Sequence, residues 1–202
     1  HTAFVGQDFG PYVRRIAESG AQAVVTGNWG ADLRGLVKAM QKQGVTLPLY
    51  AYYPMLKGVP ELLASGDGRL PVYQVANNHT NQAGDIAGLA TAFRRRHGED
   101  LVVYAAFDGM SMLLQAMTHA QTTDAARVAG RLSGMVFPGF SGPVHMRADD
   151  HQLQQGLYVS RWQKVDGRHP RAAEDTGYTF APVRYMSASE ISGPTSCRMQ
   201  RP

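Results

Sequence analysis

DFGPYVRRIAESGAQAVVTGNWGADLRGLVKAMQKQGVTLPLYAYY, Asp8 to Tyr53, alternates segments of helical and of strand character. Asp8-Phe9-Gly10-Pro11 supplies a capping residue and a proline for a first helical turn, and Ser19-Gly20 stops that helix. Ala21 to Thr26 is a short apolar run of strand character. Gly27-Asn28-Trp29-Gly30 forms a loop into a second helix, where Leu33, Leu36, Val37 and Met40 recur at the i, i+3, i+4, i+7 spacing of one apolar face, ending at Gly44. Leu47 to Tyr53 is a second strand. Helix, strand, helix, strand with short connections predicts parallel strands joined by right-handed crossovers, an α/β fold.

Beyond this core, prolines and glycines interrupt any pattern from Pro54 to Pro71, although Glu61 to Ala64 can make one helical turn. Leu70 to Ala76 alternates like a strand. The polar run Asn77-Asn78-His79-Thr80-Asn81 follows it and is the best candidate for a linker or domain crossing. Ile86, Leu89, Ala90 and Phe93 then repeat the helical spacing. Val102 to Phe107 has strand character, and Met110, Leu113, Leu114 and Met117 mark a further helix that Asp108 is placed to cap. Asp124 caps a shorter helix carrying Val128 and Leu132. Past Gly134, VFPGFSGPVHM and GLYVSRWQKVDG read as the arms of an antiparallel hairpin with RADDHQLQQ at its polar tip. The last forty residues read as an extended tail over a surface.

The chain has 202 residues, 44% hydrophobic and 18% charged, a globular composition large enough for a sizeable core. Its formal charge of +4 has no basic block beyond Arg94-Arg95-Arg96, which suits the negative end of a helix and gives no ground for nucleic-acid binding. No apolar run approaches the ~18 to 20 residues that span a bilayer, and the N-terminus lacks the charged-then-apolar order of a leader. A single cysteine, Cys197, cannot form an internal disulfide.

GPVHMRADDHQ, Gly142 to Gln152, is the densest gathering of ionisable groups. Alternation puts Val144 and Met146 on one side of a strand and His145 and Arg147 on the other, while Asp149 and Asp150 are turn formers. Metal binding would want ligands converging at fixed spacing, which is not found here. There is also no G-x-S-x-G elbow, Walker loop or dinucleotide fingerprint. The residues give no positive argument for an enzyme, a cofactor or a metal.

In parallel α/β sheets ligands bind beyond the carboxyl ends of the strands. Three such ends are read here: Gly27-Asn28-Trp29-Gly30, Tyr52-Tyr53-Pro54 and Phe107-Asp108-Gly109. Glycine permits close backbone approach, Asn28 offers a donor and an acceptor, and the rings offer flat walls with polar tips. Such a set suits a small polar or zwitterionic molecule.

The Asp8–Gly44 stretch, followed by PLYAYY, YAAFDGMSMLLQAM and GPVHMRADDHQLQQGLYVSRW, resembles the periplasmic solute-binding proteins of ABC transporters for branched-chain amino acids and related compounds. That resemblance implies a type I binding-protein fold, two Rossmann-like lobes with parallel sheets that close on a ligand. Family members are about twice as long, so it further implies a C-terminal fragment holding most of lobe 2 and part of lobe 1. Residues 1–76 would be the first part of lobe 2, 77–133 a returning segment of lobe 1, 134–165 a closing hairpin of lobe 2, and 166–202 a C-terminal extension. By position, Asn28, Trp29, Tyr52, Tyr53 and Phe107 would bind the ligand. Tyr53 stands where members specific for aliphatic amino acids often place an acidic residue for the α-ammonium.

The implied function is capture of an amino acid or related small solute, without catalysis, and its delivery to a membrane permease. The implied partners are that permease and a missing N-terminal half or an oligomer partner, in the periplasm. Two alternatives stay open: a ligand sensor of the same fold, or an α/β enzyme using Asp149, Asp150 and His151 beside His145. The enzyme requires a pocket gathering those four residues; the binder puts the hairpin tip in solvent.

Overall fold

The computed structural model describes residues 8–102 and 104–197. Residues 1–7, Val103 and 198–202, which include the start of the lobe part expected at 1–76, one position of the strand expected at 102–107 and the end of the extension expected at 166–202, lie outside the described residues.

The first segment folds as its periodicity requires. Helix α1 (Gly10–Glu18) begins where Asp8 Oδ1 accepts the Gly10 amide at 2.9 Å. Strand β1 (Val24–Thr26), helix α2 (Gly30–Lys42) and strand β2 (Leu49–Ala51) follow. All four residues of the predicted α2 stripe, Leu33, Leu36, Val37 and Met40, are buried. Helix α3 (Val59–Ser65) and strand β3 (Val72–Ala76) complete the parallel unit, in which Val24 pairs with Leu49 and Leu49 with Val72.

The sheet is mixed rather than wholly parallel. Strand β7 (Leu157–Lys164) runs antiparallel to β3, and β8 (Tyr178–Met186) runs antiparallel to β7, giving the order β1-β2-β3-β7-β8. One face packs on α1, α2 and α3, burying Val13, Met40, Leu49, Val72 and Phe180 in a single core. The other face carries Val25, Tyr50, Tyr73 and Arg161 in register. That face is open: Val25 is 74% exposed, and Tyr50 stacks on Tyr73 with centroids 4.8 Å apart.

Helices α4 (Asp85–His97), α5 (Tyr104–Ala120) and α6 (Ala125–Leu132) lie between β3 and the closing strands. The segment expected as a strand from Val102 is helical from Tyr104, and Asp108 sits inside α5 rather than capping it. The buried stripe of α5 is Tyr104, Asp108, Met112, Ala116 and Ala120, whereas Met110 and Leu114 are 57% exposed. Asp124 caps α6 as read, accepting the Arg127 amide at 3.0 Å.

The hairpin expected across 136–167 is divided between two sheets. Strands β4 (Val136–Gly139), β5 (Gly142–Met146) and β6 (Leu153–Gln154) form a small antiparallel sheet. After two paired residues, Met146 with Leu153 and His145 with Gln154, the chain leaves for β7 in the large sheet. The expected tail contains β8, a core strand, and α7 (Ala188–Ile191) with a capping box between Ser187 and Glu190.

Gly35 shows how tightly the core is built. A Cβ there would lie 2.7 Å from the ring of Phe9, which is itself 4% exposed. Gly35→Ala should improve α2 propensity by ~1 kcal/mol in isolation. The overpacking, about 1–3 kcal/mol, is expected to prevail, so the variant should unfold at lower denaturant concentration than the wild type.

Candidate functional site

The three parallel strands end together, because Thr26 pairs with Ala51 and Ala51 with Gln74. After β1 the backbone turns sharply. Thr26 Oγ1 accepts the Asn28 amide at 3.1 Å and donates to Asn28 Oδ1, so the Asn28 side chain shapes the turn. Trp29 then takes the N-cap position of α2 with extended backbone, and Gly30 adopts φ +55°, where a side chain would be strained. This leaves the indole 60% exposed at the sheet's carboxyl edge. Tyr52 and Tyr53 project from the loop after β2, their rings tilted at 59° with centroids 6.4 Å apart.

Trp29, Tyr52 and Tyr53 line one hollow of about 530 Å³, whose other side is formed by the end of β3 and by Val102 and Tyr104. A second cavity, about 570 Å³, adjoins it and shares Gln74, Asn78, Val102 and Tyr104. Asn28 and Phe107 line neither. Phe107 lies on the exposed side of α5, against Phe140 at a centroid distance of 4.6 Å.

The shared floor is polar. Gln74 is 5% exposed, and its Oε1 is buried without a hydrogen-bond partner. Asn78 Nδ2 donates to Asn77 Oδ1 at 3.1 Å, and Asn77 Nδ2 donates to Gln155 Oε1 at 3.1 Å, fixing the crossing strand to the start of β7. Burial, followed by the nearby Asp100 carboxylate, pushes the Tyr104 phenol above its ordinary range, so it remains a hydroxyl donor. Sequence pattern hid Gln74 as a polar residue inside an apolar alternation, and hid Tyr104 because its segment read as a strand.

The second cavity has charged walls. Arg94 is bound by both Asp100 and Asp175. Arg95 and Arg171 line the same cavity and have no ion-pair partner among the described residues. The backbone of Arg171 is held by Asn81, whose Oδ1 accepts the Arg171 amide at 2.8 Å and whose Nδ2 donates to the Arg171 carbonyl at 3.2 Å.

The ionisable stretch at 142–152 has a different role. Asp150 accepts from Arg147 Nε at 2.8 Å and Nη2 at 2.5 Å, and Arg147 Nη1 donates to the Gly193 carbonyl at 2.8 Å. The Arg147 guanidinium holds the Asp150 carboxyl well below the usual carboxylate range. His151 takes a left-handed backbone at φ 55°. None of His145, Asp149, Asp150 or His151 lines either cavity. Among the described residues, no three His, Cys, Asp or Glu side chains are grouped to hold a metal ion, and no helix is long and apolar enough to cross a membrane.

His79, on the crossing segment, sets an edge against Tyr158 with centroids 4.8 Å apart, and its Nδ1 is buried without a partner. Burial first, then His169, pushes its pKa down to about 4. The unfolded imidazole takes a proton near ~6.5, so the unfolded state binds more protons between those values and stability rises with pH across them. Stability is expected to fall as pH drops from about 6.5 toward 4, and His79→Gln should flatten that part of a melting-temperature profile.

The family model for periplasmic binding proteins matches residues 1–168. The Leu/Ile/Val-binding protein homolog 4 of Brucella abortus (strain 2308) is 29% identical over 210 residues, 97% of this chain and 48% of the relative. The chain thus spans about half the length of the curated relatives it matches. Among solved structures, the leucine-, isoleucine-, valine-, threonine- and alanine-binding protein of Brucella ovis, in a closed conformation, superposes with a TM-score of 0.79 at 24% identity, covering 100% of this chain and 53% of that one. A solute-binding protein of an ABC transporter from Rhodopseudomonas palustris HaA2, in complex with p-hydroxybenzoic acid, gives a TM-score of 0.72 at 20% identity, over 91% of this chain and 50% of that one.

Proposed function

The chain belongs to the periplasmic binding protein family, and from that membership we propose that it captures a small organic solute in the Trp29–Tyr52–Tyr53 hollow and releases it unchanged to an ABC permease. The observation that carries this reading is the convergence of three exposed aromatic rings at the carboxyl ends of parallel strands, above a buried, unpartnered Gln74. Exposed rings of this size are costly in water unless a ligand and an opposing wall cover them. The solute has the dimensions of an amino acid or an aromatic acid, the two chemistries named for the relatives above. This reading has the protein work in the periplasm, as its family membership implies.

The domain reading fits this use. It assigns residues 1–76 and 134–165 to the ligand-facing lobe, which β8 of the expected extension joins in the five-stranded sheet, and 77–133, with α4 to α6, to the returning part of the other. Two apolar surfaces, the open sheet face at Val25 and the α5 face at Met110 and Leu114, are then seats for a further lobe-forming segment or a second copy. Titration calorimetry and thermal shift with a panel of amino acids and aromatic acids test the capture reading. A saturating binder should raise the melting temperature as free ligand exceeds Kd, with the product chemically identical to the substrate on recovery. No binder, or a chemically altered one, counts against it.

A further inference from the structure

In the loop between β7 and β8, Glu174 has φ 47° and Asp175 has φ 55°, two successive left-handed residues that carry side chains. That backbone is unfavourable for both and persists only where the surroundings hold it. Here they do. Asp100 Oδ2 accepts the Glu174 amide at 2.7 Å, and the Arg94 guanidinium pairs with both Asp100 and Asp175. The preceding residue, Ala173, is fully buried and donates its amide to the Tyr178 carbonyl at 2.8 Å.

This turn aims the Glu174 carboxylate at the start of α3. Gly58, the N-cap of that helix, has no side chain to cap with, and Pro60 has no amide. The three remaining donors are all used. Gly58 donates to Glu174 Oε1 at 2.7 Å, Glu61 to Glu174 Oε2 at 3.1 Å, and Val59 to the Leu56 carbonyl at 3.0 Å. The Leu56 amide donates in turn to the Tyr53 carbonyl at 3.2 Å. Two turns therefore join the loop that carries Tyr52 and Tyr53 to a helix end whose amides Glu174 holds. Pro54, fully buried, anchors the near end of loop 52–58, and Glu174 anchors its far end. The Lys57–Glu99 pair at the same end is exposed on both sides and adds little.

We propose that Glu174 is a positioning residue for solute capture, an inference that rests on the capture reading above. Clasped by Asp100 and Arg94, its carboxylate fixes the far end of loop 52–58 and keeps the Tyr52 and Tyr53 rings facing the Trp29 hollow. Without the carboxylate the loop takes other turns, and the fraction of molecules with both rings in place falls. Apparent affinity falls by the same fraction, through slower association rather than faster release.

The test compares Glu174→Ala and Glu174→Gln with the wild type in the protein as its own cells express it. Hydrogen exchange is read at single amides, and calorimetry and stopped-flow kinetics use leucine, phenylalanine and 4-hydroxybenzoate as probes. Glu174→Ala is expected to speed exchange of the Gly58 and Glu61 amides about tenfold while the Val37 and Met40 amides of α2 stay as protected as before. It should also weaken the probe that binds the wild type by about fivefold, carried by the association rate. Glu174→Gln keeps one carbonyl acceptor, so it should fall between, and it serves alone should the alanine variant not fold. Asp100→Asn, which loosens the clasp and leaves the capping carboxylate in place, should act in the same direction. Faster exchange with unchanged affinity, or with a loss carried only by faster release, would make Glu174 a helix cap and no more. Unchanged exchange would leave the loop held by Pro54. Each of these overturns the inference while the capture reading stands; a wild type that binds none of the probes overturns both.

Discussion

Trp29→Ala is expected to weaken solute binding by roughly 60-fold with little change in folding stability. The indole is 60% exposed and makes no side-chain capping bond, so the fold uses its backbone and not its ring. If a bound solute and the closing wall remove about 100 Å² of that ring from water at ~25 cal/mol per Å², the loss is about 2.5 kcal/mol, and each 1.4 kcal/mol is tenfold. Calorimetry on wild type and variant, with denaturant unfolding as control, reads both quantities. Unchanged affinity, or a loss of affinity matched by a loss of stability, would remove Trp29 from the site.

Phe180→Ala is expected to cost about 3–5 kcal/mol, a large part of the ~5–15 kcal/mol that holds a domain folded. Phe180 is fully buried in the sheet's central core, packed on Trp162 with centroids 4.8 Å apart. Trp162 in turn stacks on Tyr178 at 5.5 Å. Val183, three positions along the same strand, is 57% exposed, and Val183→Ala should change stability by no more than ~0.5 kcal/mol. A contrast of this kind in urea midpoints identifies β8 as core. Similar small effects at both positions would return residues 178–186 to the surface tail that their composition suggests.

That composition explains why β8 was not legible. YTFAPVRYM lies among glycines, serines and prolines, and Pro182 removes an amide that an inner strand would need. At the sheet edge Pro is tolerated, and β8 is an edge strand with a register shift where Pro182 meets Ser160. Helix α2 was legible for the opposite reason: four large apolar residues recur on one face between two glycines, and all four are buried. Helix α5 misled because its buried stripe is built from Tyr104, Asp108, Met112 and two alanines, while larger apolar residues face out. Asp108 in particular read as a cap. Its carboxylate instead accepts the Phe140 amide at 3.3 Å, and burial pushes its pKa up.

The aromatic part of the site was readable as residues placed at strand ends, since Trp29, Tyr52 and Tyr53 need only the strand–loop–helix order to come together. Gln74, Tyr104 and Arg171 were not, because their meeting depends on a crossing segment and on a loop between β7 and β8 that no local pattern positions. The local pattern puts Phe107 at a strand end, but α5 begins three residues earlier and carries it to the Phe140 side.

The most direct measurement uses the two tryptophans, whose indole N–H signals are resolved by heteronuclear NMR of the nitrogen-15 labelled protein. Trp29 is at the hollow and exposed; Trp162 is 4% exposed in the core and serves as an internal reference. On titration with a solute shown calorimetrically to bind, the Trp29 signal should move saturably with the same Kd while the Trp162 signal stays fixed. Binding that leaves the Trp29 signal unmoved would place the solute elsewhere on the chain.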